Sequence, residues 1–173
     1  MFLVCMANTM LGFLNFDNET FSSNTTTNLD FNSKKLKYAY NSLNETYSVI
    51  EFDMITKEKT VLKQHKVLDK NFSKDNYVTE RIWADSQDGN QIPISLIYKK
   101  GIKRDGSNPL LIYGYGSYGN TIDPSFSISR LSLLDRGFIY AISHVRGSEY
   151  LGREWYEKGK LLHKRNTFTD FIN

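Results

Sequence analysis

NPLLIYGYGSYGNTIDPSFSISRLSLLDRGFIYAISHV, residues 108–145, is the stretch that decides the fold. Its opening, PLLIYGYG, is a continuous apolar run of the kind a strand shows when both of its faces are covered. Asp123-Pro124 then opens a helix over 125–135 that Gly137 closes, because proline has no N–H to lose in a first turn and glycine fits past a last one. GFIYAISHV follows as a second apolar strand. Strand, helix and strand between Pro109 and Val145 make a βαβ unit, which predicts a mostly parallel sheet with a right-handed crossover.

On the N-terminal side of this unit, YVTERIWADSQDGNQIPISLIYKK alternates as a hairpin whose turn is Asp88-Gly89. Earlier still, up to about Asp75, the chain consists of short β-like runs: LGFLNF, KLKYAYNS, TYSVIEFD and EKTVLKQ. TYSVIEFDMITKEKTVLKQ reads as a hairpin turning at MITKE, with Val49, Glu51 and Asp53 on one face and Ile50 and Phe52 on the other. The change of character predicts a boundary near Asn76, with an all-β part before it and an α/β part after it. At the far end, TFTDFIN predicts a helix capped by Asn166 or Thr167. It runs for about two turns with nothing to pack on its apolar face, so a chain cut from a longer one is expected.

Composition narrows the classes. The 173 residues are 40% hydrophobic and 14% aromatic, enough for a domain with a packed core, which excludes a disordered chain. The net charge of +3 is spread over short groups such as Lys34, Lys35, Lys37 and Lys99, Lys100, Lys103, Arg104. That is a solvated surface rather than a nucleic-acid or membrane face. MFLVCMANTMLGFLNF has no basic leader and no A-x-A cleavage signal, and polar residues interrupt it well short of a span, so it predicts a buried strand pair. Cys5 is the single cysteine, which excludes an internal disulfide or a cysteine zinc cluster and suits a reducing compartment. A cytoplasmic location is expected, or a periplasmic one if a leader precedes Met1. Asn18, Asn24, Asn44 and Asn71 open N-x-S/T triplets that an Asn-rich chain produces by chance.

Two motif readings compete for Gly114–Gly119, GYGSYG. The string matches G-x-G-x-x-G with Asp135 about 20 residues on, but a dinucleotide site needs the helix to begin inside the glycine turn, and Asn120 to Pro124 intervene. A nucleophile elbow needs G-x-S-x-G with a helix directly after the serine, whereas Tyr115 stands at the first glycine and no helix can start before Pro124. Ser117 is therefore a loop residue. His65, His144 and His163 have no metal-ligand spacing, so no metal or other cofactor is expected. His144 and Arg146 end the second apolar strand, where open α/β sheets bind ligands, yet the plain expectation is a structural histidine and an ion pair bracing the next loop.

Read continuously, TERIWADSQDGNQIPISLIY, NPLLIYGYGSYG, FSISRLSLLDRGFIYAISHVRG and LGREWYEKGKLLHKRNTFTDFI resemble the oligopeptidase B branch of the prolyl oligopeptidase family, over roughly Asp17 to Asn173. The resemblance implies an α/β fold class: the start of an α/β-hydrolase sheet preceded by the last blades of a β-propeller. Residues 1–75 would then be propeller, and 76–173 the beginning of the peptidase domain. It implies a serine endopeptidase that hydrolyses short peptides, with a serine nucleophile, a histidine base, an orienting aspartate and an oxyanion hole. By the same resemblance Tyr115 is the phenolic donor of that hole, Tyr118 an aromatic position near the substrate side chain, and Asp123 half of an acidic loop that favours basic residues. Ser125 stands where a second acid would, and Ser148 and Glu149 replace small residues in the loop after HVRG. The triad would lie beyond Asn173, and no G-x-S-x-G occurs in the sequence. The chain is thus expected to be inactive alone and to have peptides, or a complementary fragment of the same enzyme, as partners. A non-enzymatic remnant that binds through its exposed sheet is the alternative, and a dinucleotide-binding domain a distant third.

Overall fold

The computed structural model describes residues 2–5 and 11–172, with side-chain burial from Leu14 onward. Its first strands, β1 (Phe2–Cys5) and β2 (Leu11–Leu14), form the expected antiparallel pair, with Phe2 opposite Leu14. Leu14 is buried, and the burial of the rest of that pair lies outside the described residues.

Four antiparallel strands in chain order make the next sheet: β3 (Phe21–Thr25), β4 (Lys35–Ser42), β5 (Ser48–Asp53) and β6 (Lys59–Gln64). Alternation builds its inner face. Tyr38, Tyr40 and Phe52 point inward and join Leu14 and Met54, with Phe16, Phe21, Leu36 and Ile50 packed against them. The β5–β6 hairpin turns where expected: Asp53 Oδ1 accepts from the Ile55 and Thr56 N–H groups. A register shift between Val49 and Ile50 breaks the simple two-face reading of β5. β3 was not legible as a strand because FSSNT carries no apolar alternation.

Residues 77–143 build a second sheet, of order β7 (Tyr77–Asp85), β8 (Gln91–Lys99), β10 (Ile139–Ser143), β9 (Leu110–Tyr113). β7–β8 is the predicted hairpin, with Gly89 at φ +79° in its turn. β10 runs antiparallel to β8 and parallel to β9, with Leu110 opposite Ile139, so the βαβ unit is present. Three expectations change here. Among the described strands the sheet is not mostly parallel: β7–β8 and β8–β10 are antiparallel and only β9–β10 is parallel, because the hairpin supplies half of its strands. The run before the glycine loop is an edge strand rather than a buried one: β9 pairs only with β10 among the described strands, and Leu110, Leu111 and Tyr113 are exposed. Helix α1 spans Ile128–Leu134, not 125–135. Ser127 is extended, because the Phe126 N–H donates to Asn41 Oδ1 across the molecule (2.9 Å) and the Phe126 ring packs edge-on against Phe72.

The second core contains Tyr77, Ile97, Leu131, Leu134 and Ile142, and Leu43, just past the end of β4, enters it. With Ser22 donating to Asp123 and Thr79 donating to Asn18, this ties the two sheets together. A smaller cluster of Ile92, Val145 and Trp155 underlies the C-terminal corner, where α2 (Arg153–Glu157) and α3 (Arg165–Ile172) sit. α3 begins before the expected Asn166 or Thr167 cap and packs by a different face. Thr167 and Asp170 are its buried residues, Phe171 lies against Gly114, and Phe168 and Ile172 are exposed.

Candidate functional site

Parallel strands β9 and β10 leave two loops side by side at their carboxyl ends, Gly114–Gly119 and His144–Glu149, at the position where open α/β sheets hold ligands. The loops are laced together: Gly119 N–H donates to Gly147 O and Glu149 N–H to Gly119 O, each at 3.0 Å. Gly116 has φ +63°, and a Cβ there would lie 2.4 Å from Thr167 Cγ2 and 2.6 Å from Val145 Cγ2. Only glycine meets both the left-handed backbone and the closeness of α3.

Polar side chains hold this corner together. Arg146 is 2% exposed. Its Nε and Nη2 donate to the two oxygens of Asp170 at 2.8 and 2.5 Å, its backbone N–H donates to Asp170 as well (3.0 Å), and Nη1 reaches Asp88 in the β7–β8 turn at 2.5 Å. The Asp170 hydrogen bonds raise the guanidinium's pKa above its ordinary value, and the Arg146 hydrogen bond holds the Asp88 carboxyl well below the carboxylate range. Thr167 Oγ1 donates to Arg146 O at 2.7 Å. So Arg146 forms the ion pair expected of it, but what it braces is larger than one loop: it joins a hairpin turn, a strand end and a helix.

His144 is also buried. Its Nε2 lies 2.7 Å from Ser95 Oγ, its ring stacks on Tyr150 with centroids 3.7 Å apart, and Trp155 Nε1 donates to its carbonyl. Burial, with Arg81 nearby, pushes its pKa down to about 3. Ser95 is fully buried. A neutral, sealed serine–histidine pair of this kind cannot meet a substrate, which makes it a core hydrogen bond rather than a nucleophile and its base.

The candidate residues have different surroundings. Tyr115 is half exposed in the middle of the glycine loop. Tyr118 is 83% exposed, has φ +56°, and lines a cavity of about 310 Å³ with Ser117, Tyr156, Leu161 and Lys164. Asp123 is turned toward the first sheet, where it accepts from Ser22 Oγ at 3.0 Å. Ser117 accepts a hydrogen bond from Lys164 Nζ at 2.7 Å, and the next helix starts only at Ile128, so neither an elbow nor a phosphate-binding helix start is built there. The roles of Asp88, Lys164, Thr167 and Asp170 in holding this corner were not read in the sequence, since the contacts that carry them span 21 to 58 residues and leave no local pattern. Among the described residues no cluster of His, Cys, Asp or Glu could hold a metal ion, and no helix is long and apolar enough to cross a membrane.

Residues 124–173 match the model of the prolyl oligopeptidase family. The chain is 46% identical over 158 residues to a dipeptidyl aminopeptidase BI of Pseudoxanthomonas mexicana, covering 91% of this chain and 22% of that protein. It is 37% identical to protease 2 of Moraxella lacunata, covering 82% of this chain and 20% of that one. Among solved structures, oligopeptidase B from Leishmania major superposes with a TM-score of 0.83 at 37% identity, over 95% of this chain and 23% of that one. Oligopeptidase B from Trypanosoma brucei, solved with covalently bound antipain, gives 0.82 at 40% identity, over 94% of this chain and 23% of that one. The chain therefore spans about a fifth of the length of the curated relatives it matches.

Proposed function

The chain belongs to the prolyl oligopeptidase family, and from that premise we propose that it is the part of a serine peptidase that carries the oxyanion donor but not the nucleophile. Its two four-stranded sheets are then the last blade of a propeller and the start of the hydrolase sheet, parting near Asn76. The observation that carries the reading is the loop Gly114–Gly119 at the carboxyl end of β9, clamped by the loop after β10 and by α3, with the Tyr115 side chain left half exposed. A phenolic O–H on so rigid a loop can meet the negative charge that develops on a carbonyl oxygen under attack. Tyr118 would flank the substrate side chain. Asp123 would favour a basic residue there only after release from Ser22.

Alone, the chain should give no turnover of a fluorogenic peptide ending in Arg. Turnover abolished by a serine-directed phosphonate would overturn the reading. Joined to a polypeptide supplying the family's Ser, Asp and His segment, the wild-type chain should restore activity, and Tyr115→Phe should lower kcat by about 10²–10³-fold with little change in KM.

The exposed Leu110, Leu111 and Tyr113 on β9 favour a second reading, a binding remnant that adds a partner's strand at this edge. A monodisperse monomer with a cooperative thermal transition and no recovery of activity on complementation would favour it.

A further inference from the structure

Four cations between residues 146 and 160, Arg146, Arg153, Lys158 and Lys160, all have carboxylate partners. Lys164 has none among the described residues. Its Nζ donates hydrogen bonds to neutral oxygens alone, Gly116 O and Ser117 Oγ, with the Phe168 ring 5.8 Å away, and burial lowers its pKa. An ammonium carries three donors, so one N–H remains for another acceptor. The group sits in the wall of the cavity of about 310 Å³, whose other lining includes the Tyr118 and Tyr156 side chains and Leu161. A volume near the lower end of the ~300–1,000 Å³ typical of ligand sites suits a fragment of one or two residues. Two of the three non-glycine residues with positive φ among the described residues, Tyr118 (+56°) and Leu161 (+46°), line this one cavity. Such backbone costs energy and persists where the surroundings enforce it, commonly at binding sites.

We propose that this cavity binds the free C-terminal carboxylate of a short peptide, with the carboxylate on Lys164 and an apolar terminal side chain between Tyr156 and Leu161. The inference rests on the peptidase reading for its ligand class, peptides, and on the unpaired ammonium for the end of the peptide it takes. Lys160 lies in the same wall but is already engaged by Glu157, so it adds little to the attraction.

The test is an NMR titration of the 173-residue chain, following the Gly147 and Gly159 amides and the Lys164 ammonium. Three probes separate the sources of charge: acetyl-Ala-Leu with a free carboxylate, its C-terminal amide, and acetyl-Glu-Leu-amide, whose carboxylate is on a side chain. The free acid should bind saturably and the amide at least about tenfold more weakly, the loss of one charge-assisted hydrogen bond. Lys164→Met should remove that preference and Lys164→Arg keep it. Because Lys164→Met could loosen the glycine loop, the wild-type chain supplies a second readout: a saturating free acid should raise the Lys164 pKa. Equal binding of acid and amide, no binding by any probe, an unmoved Lys164 titration, or tightest binding of the glutamyl amide would each overturn the proposal. None of these readouts involves turnover. A chain that prefers acid over amide yet never complements a serine-bearing partner would keep the site and lose the peptidase reading.

Discussion

The two four-stranded sheets are held together in different ways. In β3–β6 every strand pairs with its neighbour in sequence, and the core gathers five rings, Phe16, Phe21, Tyr38, Tyr40 and Phe52, around Leu14 and Met54, with Phe16 and Tyr40 stacked at 5.5 Å. In β7–β10 the order is rearranged, and beside an ordinary apolar core lies a corner of buried polar groups: Ser95, His144, Arg146, Thr167 and Asp170. Apolar packing tolerates adjustment, while a buried ionic network is stable only when every member is present. The corner is also where the two candidate loops meet. The more demanding chemistry thus sits under the site, and perturbations of the two sheets should differ in kind.

The largest difference is expected from Asp170→Ala. It would leave the guanidinium of Arg146 buried with only Asp88, whose side chain is 45% exposed, and breaking such a pair costs about 3–5 kcal/mol. Urea unfolding followed by Trp155 fluorescence should show the loss, and hydrogen exchange should rise first over 144–170 while β4 and β5 stay protected. The double change Arg146→Met with Asp170→Leu should recover much of it, because an apolar pair of similar size needs no compensation. If Asp170→Ala costs under about 1 kcal/mol, the contrast between the sheets fails.

Next comes Gly159→Ala. A Cβ at this position would lie 2.1 Å from Gly147 N and 2.3 Å from Arg146 C, both backbone atoms that cannot rotate aside. Overpacking of this kind costs about 1–3 kcal/mol, and here the shift would fall on the loop that anchors Gly119. Thermal melts of the variant, compared with Gly101→Ala in an open turn with nothing within 4 Å, separate crowding from the positive φ that only Gly101 has.

How much was legible follows the same division. Alternation and turn residues exposed the β5–β6 and β7–β8 hairpins and the βαβ unit, since each depends on residues near one another in sequence. Helix α1 was read as starting three residues too early because Asn41, 85 residues upstream, takes the Phe126 N–H, and Ser127 after it is extended. β9 was read as buried because its composition is that of a covered strand, while its pairing leaves one edge open. At the site, the strings around Tyr115, Tyr118 and Asp123 were visible as a resemblance. The residues that fix the Tyr115 loop were not, because Thr167 and Asp170 look like the polar face of an amphipathic helix, and polar faces ordinarily point to solvent.

A smaller effect, confined to the polar corner, comes from pH. His144 has a folded-state pKa of about 3 against about 6.5 when unfolded, so the unfolded chain takes up the proton first. Stability contributed at His144 is complete above pH ~6.5 and falls by about 1.4 kcal/mol per unit as pH drops from there toward 3. Urea midpoints at pH 7.0 and 5.5 should show it, and His144→Gln should flatten the slope. A slope that survives the substitution would assign the acid sensitivity to other groups.

The smallest effect should come from the outermost strand of the first sheet. All six residues of β6 are exposed, and Val61, opposite Ile50, is 56% exposed. Val61→Thr keeps the β-branched shape and changes only a methyl for a hydroxyl on a wet face, so stability should move by under about 0.5 kcal/mol. A loss several times larger would mean that in solution this face is covered, by another part of a longer chain or by a second copy. Concentration-dependent melting separates those two, since a second copy stabilises by mass action and a covalently joined segment does not. Either result would make the first sheet, like the second, one whose stability depends on partners distant in sequence.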